Sequence, residues 1–432
     1  MKRLFAILLV TVLVFSLLGL ALGASANSEE TVEINMSYFA DTEGAAQLWA
    51  YYFELLAERY PNYKVNFEMI LTTGPEEIIR SKIAGGDFPD LIYVWQPALL
   101  IDGGIIQEIP KELEDMILTP NDFKVGGKLY TMPLHMGTLG FWYNKQIFAQ
   151  AGITKLPETW PEFIDTLEKI KAIGIEPMSV TAKEGWSLAA IFDYFWSAAT
   201  YGAEPNWSKL RNEGKVKFNN EVTRRALEMF AETIPYWQKG ALSASYDEAR
   251  SLFYDQKTAI LQGGVWGIPQ INEGEIVPDF DVGYLLPPMD DPNMRRATSY
   301  QDNLWVISKE ATGEKFEAIV NMLKLYFSDE FYQTALTADA SLPSIKGFET
   351  RGPQLTNPKA IVMMDEILAA ASQFGTVPLA HATQGDNMWP AGCREMSEKI
   401  VQEIAAGNRD YDALMDLFDE QWDKGLAQAQ QN

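Results

Sequence analysis

Cysteine is almost missing from this chain of 432 residues, where Cys393 stands alone. An internal disulfide is therefore impossible, and a chain of this length does not need one to bury a core. Cys393, beside a helix start, reads as a small buried residue. Histidine is scarce too: His135 and His381 are the only two. A histidine-anchored metal cluster is excluded, and no zinc-ligand spacing occurs. Positive charge is in deficit. Lys and Arg number 35 against 59 Asp and Glu, a net charge of −24. A surface of that sign repels nucleic acid and anionic lipid. Long apolar runs are absent after the one that opens the chain, so no later membrane span is expected. There is no G-x-S-x-G elbow, no H-E-x-x-H pair, no Walker loop and no G-x-G-x-x-G. No internal repeat or low-complexity tract interrupts the pattern. Neither a metal nor a cofactor is expected, and no catalytic residue is assigned.

The opening run has a specific form. Lys2-Arg3 precede apolar residues 4–22, and Ala24-Ser25-Ala26 places small residues at a cleavage site. Residues 1–26 read as a secretory signal peptide. The alternative is an uncleaved anchor helix, since the run is nearly long enough to span a bilayer. The small-residue site and the acidic Glu29-Glu30 favour cleavage. With no cysteine beside the site, lipid anchoring is not expected, and a freely diffusing periplasmic monomer is. Hydrophobic residues make up 47% of the chain, so disorder is excluded and there is material for two domains.

Strands and helices then alternate. Residues 31–39 alternate as a strand, and 45–60 place Leu48, Tyr52, Leu55 and Leu56 on one helical face. Val65, Phe67 and Met69 mark a second strand. A helix over 75–84 is closed by Gly85-Gly86. Residues 91–95 form a continuous apolar run, the pattern of a parallel strand buried on both faces. This order predicts an α/β sheet with helices on both sides. Further helices are expected over 161–173, 187–198, 222–234, 247–254, 314–327, 360–373, 391–406 and 411–428. Strands are expected over 258–262 and 298–308. The chain crosses between halves near 133–137, 285–288 and 341–343. Two interrupted lobes follow: 27–135 with 292–341, and 136–291 with 342–432. Each is expected to be a mainly parallel sheet flanked by helices, joined by a three-segment hinge. Ligands of such folds bind outside the carboxyl ends of strands.

The stretch 126–163, GGKLYTMPLHMGTLGFWYNKQIFAQAGITKLPETWPEF, carries the most specific signal. Gly127-Lys128, Tyr130 and Pro133 lead into a bend. Tyr143-Asn144-Lys145 opens a helix, and Pro157 with Thr159-Trp160 opens another, Thr159 and Glu162 standing at capping-box spacing. Gly86-Asp87 and Pro89-Asp90 precede the apolar strand. In this order the pieces resemble the extracellular solute-binding proteins (family 1) of ABC importers, the group that includes the maltodextrin-binding proteins. That resemblance implies a type II periplasmic-binding-protein fold. It implies hinge closure on a carbohydrate, an oligosaccharide by expectation, and delivery to a membrane permease.

A sugar ring offers apolar C–H faces to aromatic rings and hydroxyls to polar side chains. Of the 12 tryptophans, Trp49, Trp237 and Trp422 sit inside helical patterns and read as core. Trp95, followed by Gln96, ends the apolar strand. Trp186 precedes a helix, Trp266 lies in the turn Gly263-Gly264-Val265-Trp266-Gly267, and Trp389 follows the polar loop Gln384-Gly385-Asp386-Asn387. These four fall where the resembled family stacks sugars. Asp41 and Glu43 follow the first strand, as hydroxyl-binding groups or as first-turn carboxylates of the next helix. His135 lies at the bend, as a ligand contact or a hydrogen-bonded structural group. Asp302, with Asn303, occupies a place where many relatives have Gly. Two other readings stay open. A secreted glycoside hydrolase needs only two carboxylates across a cleft, such as Asp41 and Asp302. A carrier of peptides or polyols would use charged anchors instead of indole platforms.

Overall fold

A computed structural model describes residues 30–40, 45–71, 75–301 and 303–430. The signal segment 1–26, Asp41, Glu43 and Asp302 lie outside the described residues, and so does the Asp41–Asp302 carboxylate pair. The expected alternation of strands and helices is present. Val32–Ala40, Tyr63–Leu71 and Leu91–Val94 form parallel neighbours, with the helices Ala45–Arg59 and Pro75–Gly85 between them. Leu91–Val94 is buried at every position, as its unbroken apolar run requires.

Two hydrophobic cores are separate. One gathers Ile34, Ile92, Val94, Leu134, Leu304, Val306, Tyr332 and Phe348. The other gathers Leu139, Phe141, Ile260, Leu285, Ala297, Ile367 and Trp422. Each core defines a lobe. Trp49 and Trp422 lie in these cores, and Trp237 packs against the second.

The sheets are mixed, not mainly parallel. In the first lobe Leu304–Ile307 runs antiparallel between Leu91–Val94 and Met132–Pro133. In the second, the long strand His135–Asn144 is antiparallel to Thr258–Gly264, Val282–Leu285, Ala297–Tyr300 and Leu342–Pro343. The cause is the hinge. A strand that enters a lobe from its neighbour arrives against the direction of the strands already there.

Two lobe boundaries move from their expected places. Residues 298–308 are not one strand: Ala297–Tyr300 pairs in the second lobe and Leu304–Ile307 in the first. The crossing therefore falls at 301–303, not near 291. The third crossing is not a single point at 341: Ala340 already packs in the second core. Ile345 and Phe348 still pack in the first core, and Leu118 N–H donates to the Ser344 carbonyl at 2.9 Å. By Thr356 the chain is tied to Asn272 of the second lobe. The first crossing lies between Leu134, in the first core, and Leu139, in the second. All three lie side by side: Leu134 N–H donates to Asn303 O at 2.8 Å, and His135 is in register with Pro343.

Local signals behave as their chemistry dictates. Glu162 accepts from the Thr159 backbone N–H at 3.1 Å, closing the start of helix Trp160–Ala172. Asn144 accepts from Gln146 N–H and Ile147 N–H at the start of Lys145–Gln150.

Candidate functional site

A cavity of about 310 Å³ opens between the lobes, within the range of small-ligand sites. The first lobe contributes Trp95, just past strand Leu91–Val94, and Glu76, at the start of helix Pro75–Gly85. The second contributes Lys183, Glu184, Gly185 and Trp186 around the start of helix Gly185–Thr200. It also contributes Arg394 and Glu398 from the first turns of helix Cys393–Ala405.

The aromatic side is a cluster, not four separate platforms. Trp186 meets Tyr246 at 5.6 Å and Trp266 at 5.9 Å between ring centroids. Trp266 lies behind Trp186, packs against Tyr300 at 5.8 Å, and donates its indole N–H to Tyr246 Oη at 2.7 Å. The double glycine before Trp266 has a spatial reason: a Cβ on Gly264 would lie 2.1 Å from the Trp266 ring. Gly264→Ala is expected to push the indole aside and cost about 1–3 kcal/mol through overpacking. Chemical denaturation measures this, and an unchanged midpoint would contradict the close approach.

Polar groups line the rest of the cavity. Glu184 is fixed by Thr181 Oγ1–H at 2.5 Å and by Tyr246 N–H at 3.1 Å. Arg394 Nε lies 3.4 Å from Glu398 Oε1, and its guanidinium covers the Trp95 ring at 5.4 Å. Burial pushes the Glu398 carboxyl above the usual carboxylate range, while Arg394 and His381 pull it back. Gly185 makes room for Glu398, since a Cβ there would meet Oε2 at 2.6 Å. Glu76 Oε1 and the Trp186 indole N–H are buried with no hydrogen-bond partner. Buried groups left in that condition cost about 1–3 kcal/mol each.

Other contacts tie the lobes directly. Gln96 donates from Nε2 to the His381 carbonyl at 2.8 Å, Arg80 pairs with Glu395, and Gly126 N–H donates to Asp386 Oδ1 at 2.9 Å. The amide of Gln96 thus bridges lobes.

Two expected site residues are elsewhere. Trp389 is 1% exposed, inside the second core against Trp196, Phe418 and Trp422, with its N–H donating to Tyr201 Oη at 3.3 Å. Helices Gly185–Thr200 and Tyr411–Ala429 close over it, so it cannot stack a sugar. His135 is 5% exposed and lies in the hinge, where Asn303 Nδ2 donates to its Nε2 at 2.6 Å. Burial lowers its pKa to about 4, so the ring is neutral near pH 7.

Residues 40–324 match the profile of the bacterial extracellular solute-binding proteins. The chain belongs to that family. Among solute-binding relatives, the multiple sugar-binding protein of Streptococcus mutans is 26% identical over 241 residues, covering 52% of this chain and 56% of that protein. The maltotriose-binding protein of Pyrococcus abyssi is 25% identical over 252 residues, covering 55% and 51%. The chain thus spans about half the length of these relatives. A solved chitin oligosaccharide binding protein superposes with a TM-score of 0.77 at 22% identity, over 92% of this chain and 99% of that one. RafE in complex with raffinose gives 0.71 at 18% identity, over 92% and 100%. The two solved structures share the fold of this chain. Among the described residues, no helix is long and apolar enough to cross a membrane.

The sequence pattern did not single out Glu76, Lys183, Glu184, Arg394 or Glu398. A signal existed for two of them. Arg394 and Glu398 share a face with Ser397 and Val401, both buried, so two charges stand in the buried stripe of an amphipathic helix.

Proposed function

We propose that this solute-binding protein captures a carbohydrate, an oligosaccharide by preference, in the cleft between its lobes. One observation carries the reading: the interlobe cavity pairs indoles with carboxylates and a guanidinium drawn from both lobes. An aromatic face covers the C–H side of a sugar ring, and the charged groups accept from and donate to its hydroxyls. The names of the relatives point the same way. A ligand that touches both lobes favours the closed state by its differential affinity for that state. The loaded form then docks on the membrane permease of an ABC importer. In this reading the protein is exported on residues 1–26, works in the periplasm as a monomer, and has no catalytic role.

A thermal-shift screen against mono- and oligosaccharides tests this. Binding at about a hundredfold excess over Kd is worth about 2.7 kcal/mol of stability, so a matching sugar is expected to raise Tm by several degrees. A flat response to sugars with a rise for peptides or polyols would redirect the assignment. Release of reducing ends from a polysaccharide, abolished by Glu398→Gln, would make the protein a hydrolase.

A further inference from the structure

Trp95 stands on the cavity wall, yet its indole N–H faces inward. It donates to Tyr93 Oη at 2.6 Å. The Tyr93 hydroxyl donates to Asn303 Oδ1 at 2.5 Å. Asn303 Nδ2 donates to His135 Nε2 at 2.6 Å. His135 Nδ1 stands 3.5 Å from Asp339 Oδ2. Donor and acceptor roles agree along the whole chain, provided that His135 is neutral and carries its proton on Nδ1. Tyr93 and His135 are 6% and 5% exposed, so the links lie away from bulk water.

The links also have a telling distribution. Trp95 and Tyr93 lie at the cleft end of the first-lobe strand Leu91–Val94. Asn303 is in the second crossing, between Tyr300 and Leu304. His135 begins the strand that emerges from the first crossing and pairs with Pro343. At the other end, Arg394 of the second lobe lies over the Trp95 ring. The indole is therefore held on its face by one lobe and at its edge by a chain that ends in the hinge.

We propose that Tyr93, Asn303 and His135 are positioning residues, forming a relay that orients Trp95 toward the ligand and ties that orientation to the backbone of the crossing strands. Lobe rotation is absorbed at the crossings, so the orientation of Asn303 and His135 changes with closure, and the set of the indole changes with them. The relay rests on the reading of the cleft as the ligand site, but its geometry can be tested without any ligand.

The two histidines make this direct, because imidazole ¹⁵N spectra of the whole protein contain only two rings. In the ligand-free protein, Tyr93→Phe keeps the ring and removes the central hydroxyl. The His135 Nε2 resonance is expected to move while those of His381 stay. Trp95→Phe, at the half-buried end, is expected to give a smaller shift of the same resonance, and it supplies the readout should Tyr93→Phe fail to fold. A His135 signal unmoved by either variant overturns the relay. A second arm uses the sugar that gives the largest thermal shift. Tyr93→Phe and Asn303→Ala are each expected to weaken its affinity about tenfold, and the double variant little more than either alone. Losses that multiply in the double variant overturn the relay. A shifted His135 signal, together with no sugar that binds in the thermal-shift screen, would uphold the relay and refute the carbohydrate reading instead.

Discussion

Trp389→Ala is expected to lower the stability of the protein by about 3–5 kcal/mol, and to leave the affinity of the molecules that remain folded nearly unchanged. The indole is 1% exposed. Its removal opens a hole among Trp196, Phe418 and Trp422, whose ring centroids lie 5.9, 5.1 and 5.8 Å away. It also leaves Tyr201 Oη, 1% exposed at the residue level, without the donor that reaches it at 3.3 Å. Surrounding aromatics are too rigid to fill the space, so the cavity term adds to the lost transfer energy. Urea unfolding monitored by circular dichroism measures the change. A loss of affinity at full stability would place Trp389 on the cleft after all.

Trp186→Ala has the opposite signature. The carbohydrate affinity is expected to fall by about 1–3 kcal/mol, roughly ten- to a hundredfold, with only a small change in unfolding midpoint. Trp186 is half-buried and lines the cavity. Its ring is the front of the cluster that Tyr246 and Trp266 support from behind. Its N–H has no partner within the protein, so truncation sacrifices no internal hydrogen bond. Isothermal titration with the sugar found by thermal shift gives the number. Equal affinities for the variant and the parent protein would remove Trp186 from the site.

The contrast between these two tryptophans shows what local pattern can and cannot carry. Both follow polar loops, Trp186 in the first turn of a helix and Trp389 just before one. What separates them is which distant helices close over the ring, and no window of sequence records that. The same limit explains the crossing at 301–303. Residues on either side are apolar and β-prone, and the three-residue break is shorter than most loops. It reads as one strand until the pairing partners are known. Where a residue's role was set by its neighbours, the reading held. The run Leu91–Val94 is buried throughout, and Glu162 caps as spaced. The two-lobed fold was legible because the 126–163 stretch strings several such local devices in a fixed order. The charged part of the cavity was not, because Glu76, Glu184 and Glu398 come from three helices far apart in sequence.

The interleaving of the lobes bears on how the chain is made. Leu304–Ile307 sits between Leu91–Val94 and Met132–Pro133 in the first sheet. When the amino-terminal third has left the ribosome, that sheet still lacks an inner strand, and its apolar edge has nothing to pair with. Burial of that edge must wait until about three quarters of the polypeptide has been synthesised. Such a delay leaves the first sheet incomplete for most of synthesis. It also makes the unfinished intermediate a natural client for a holding chaperone.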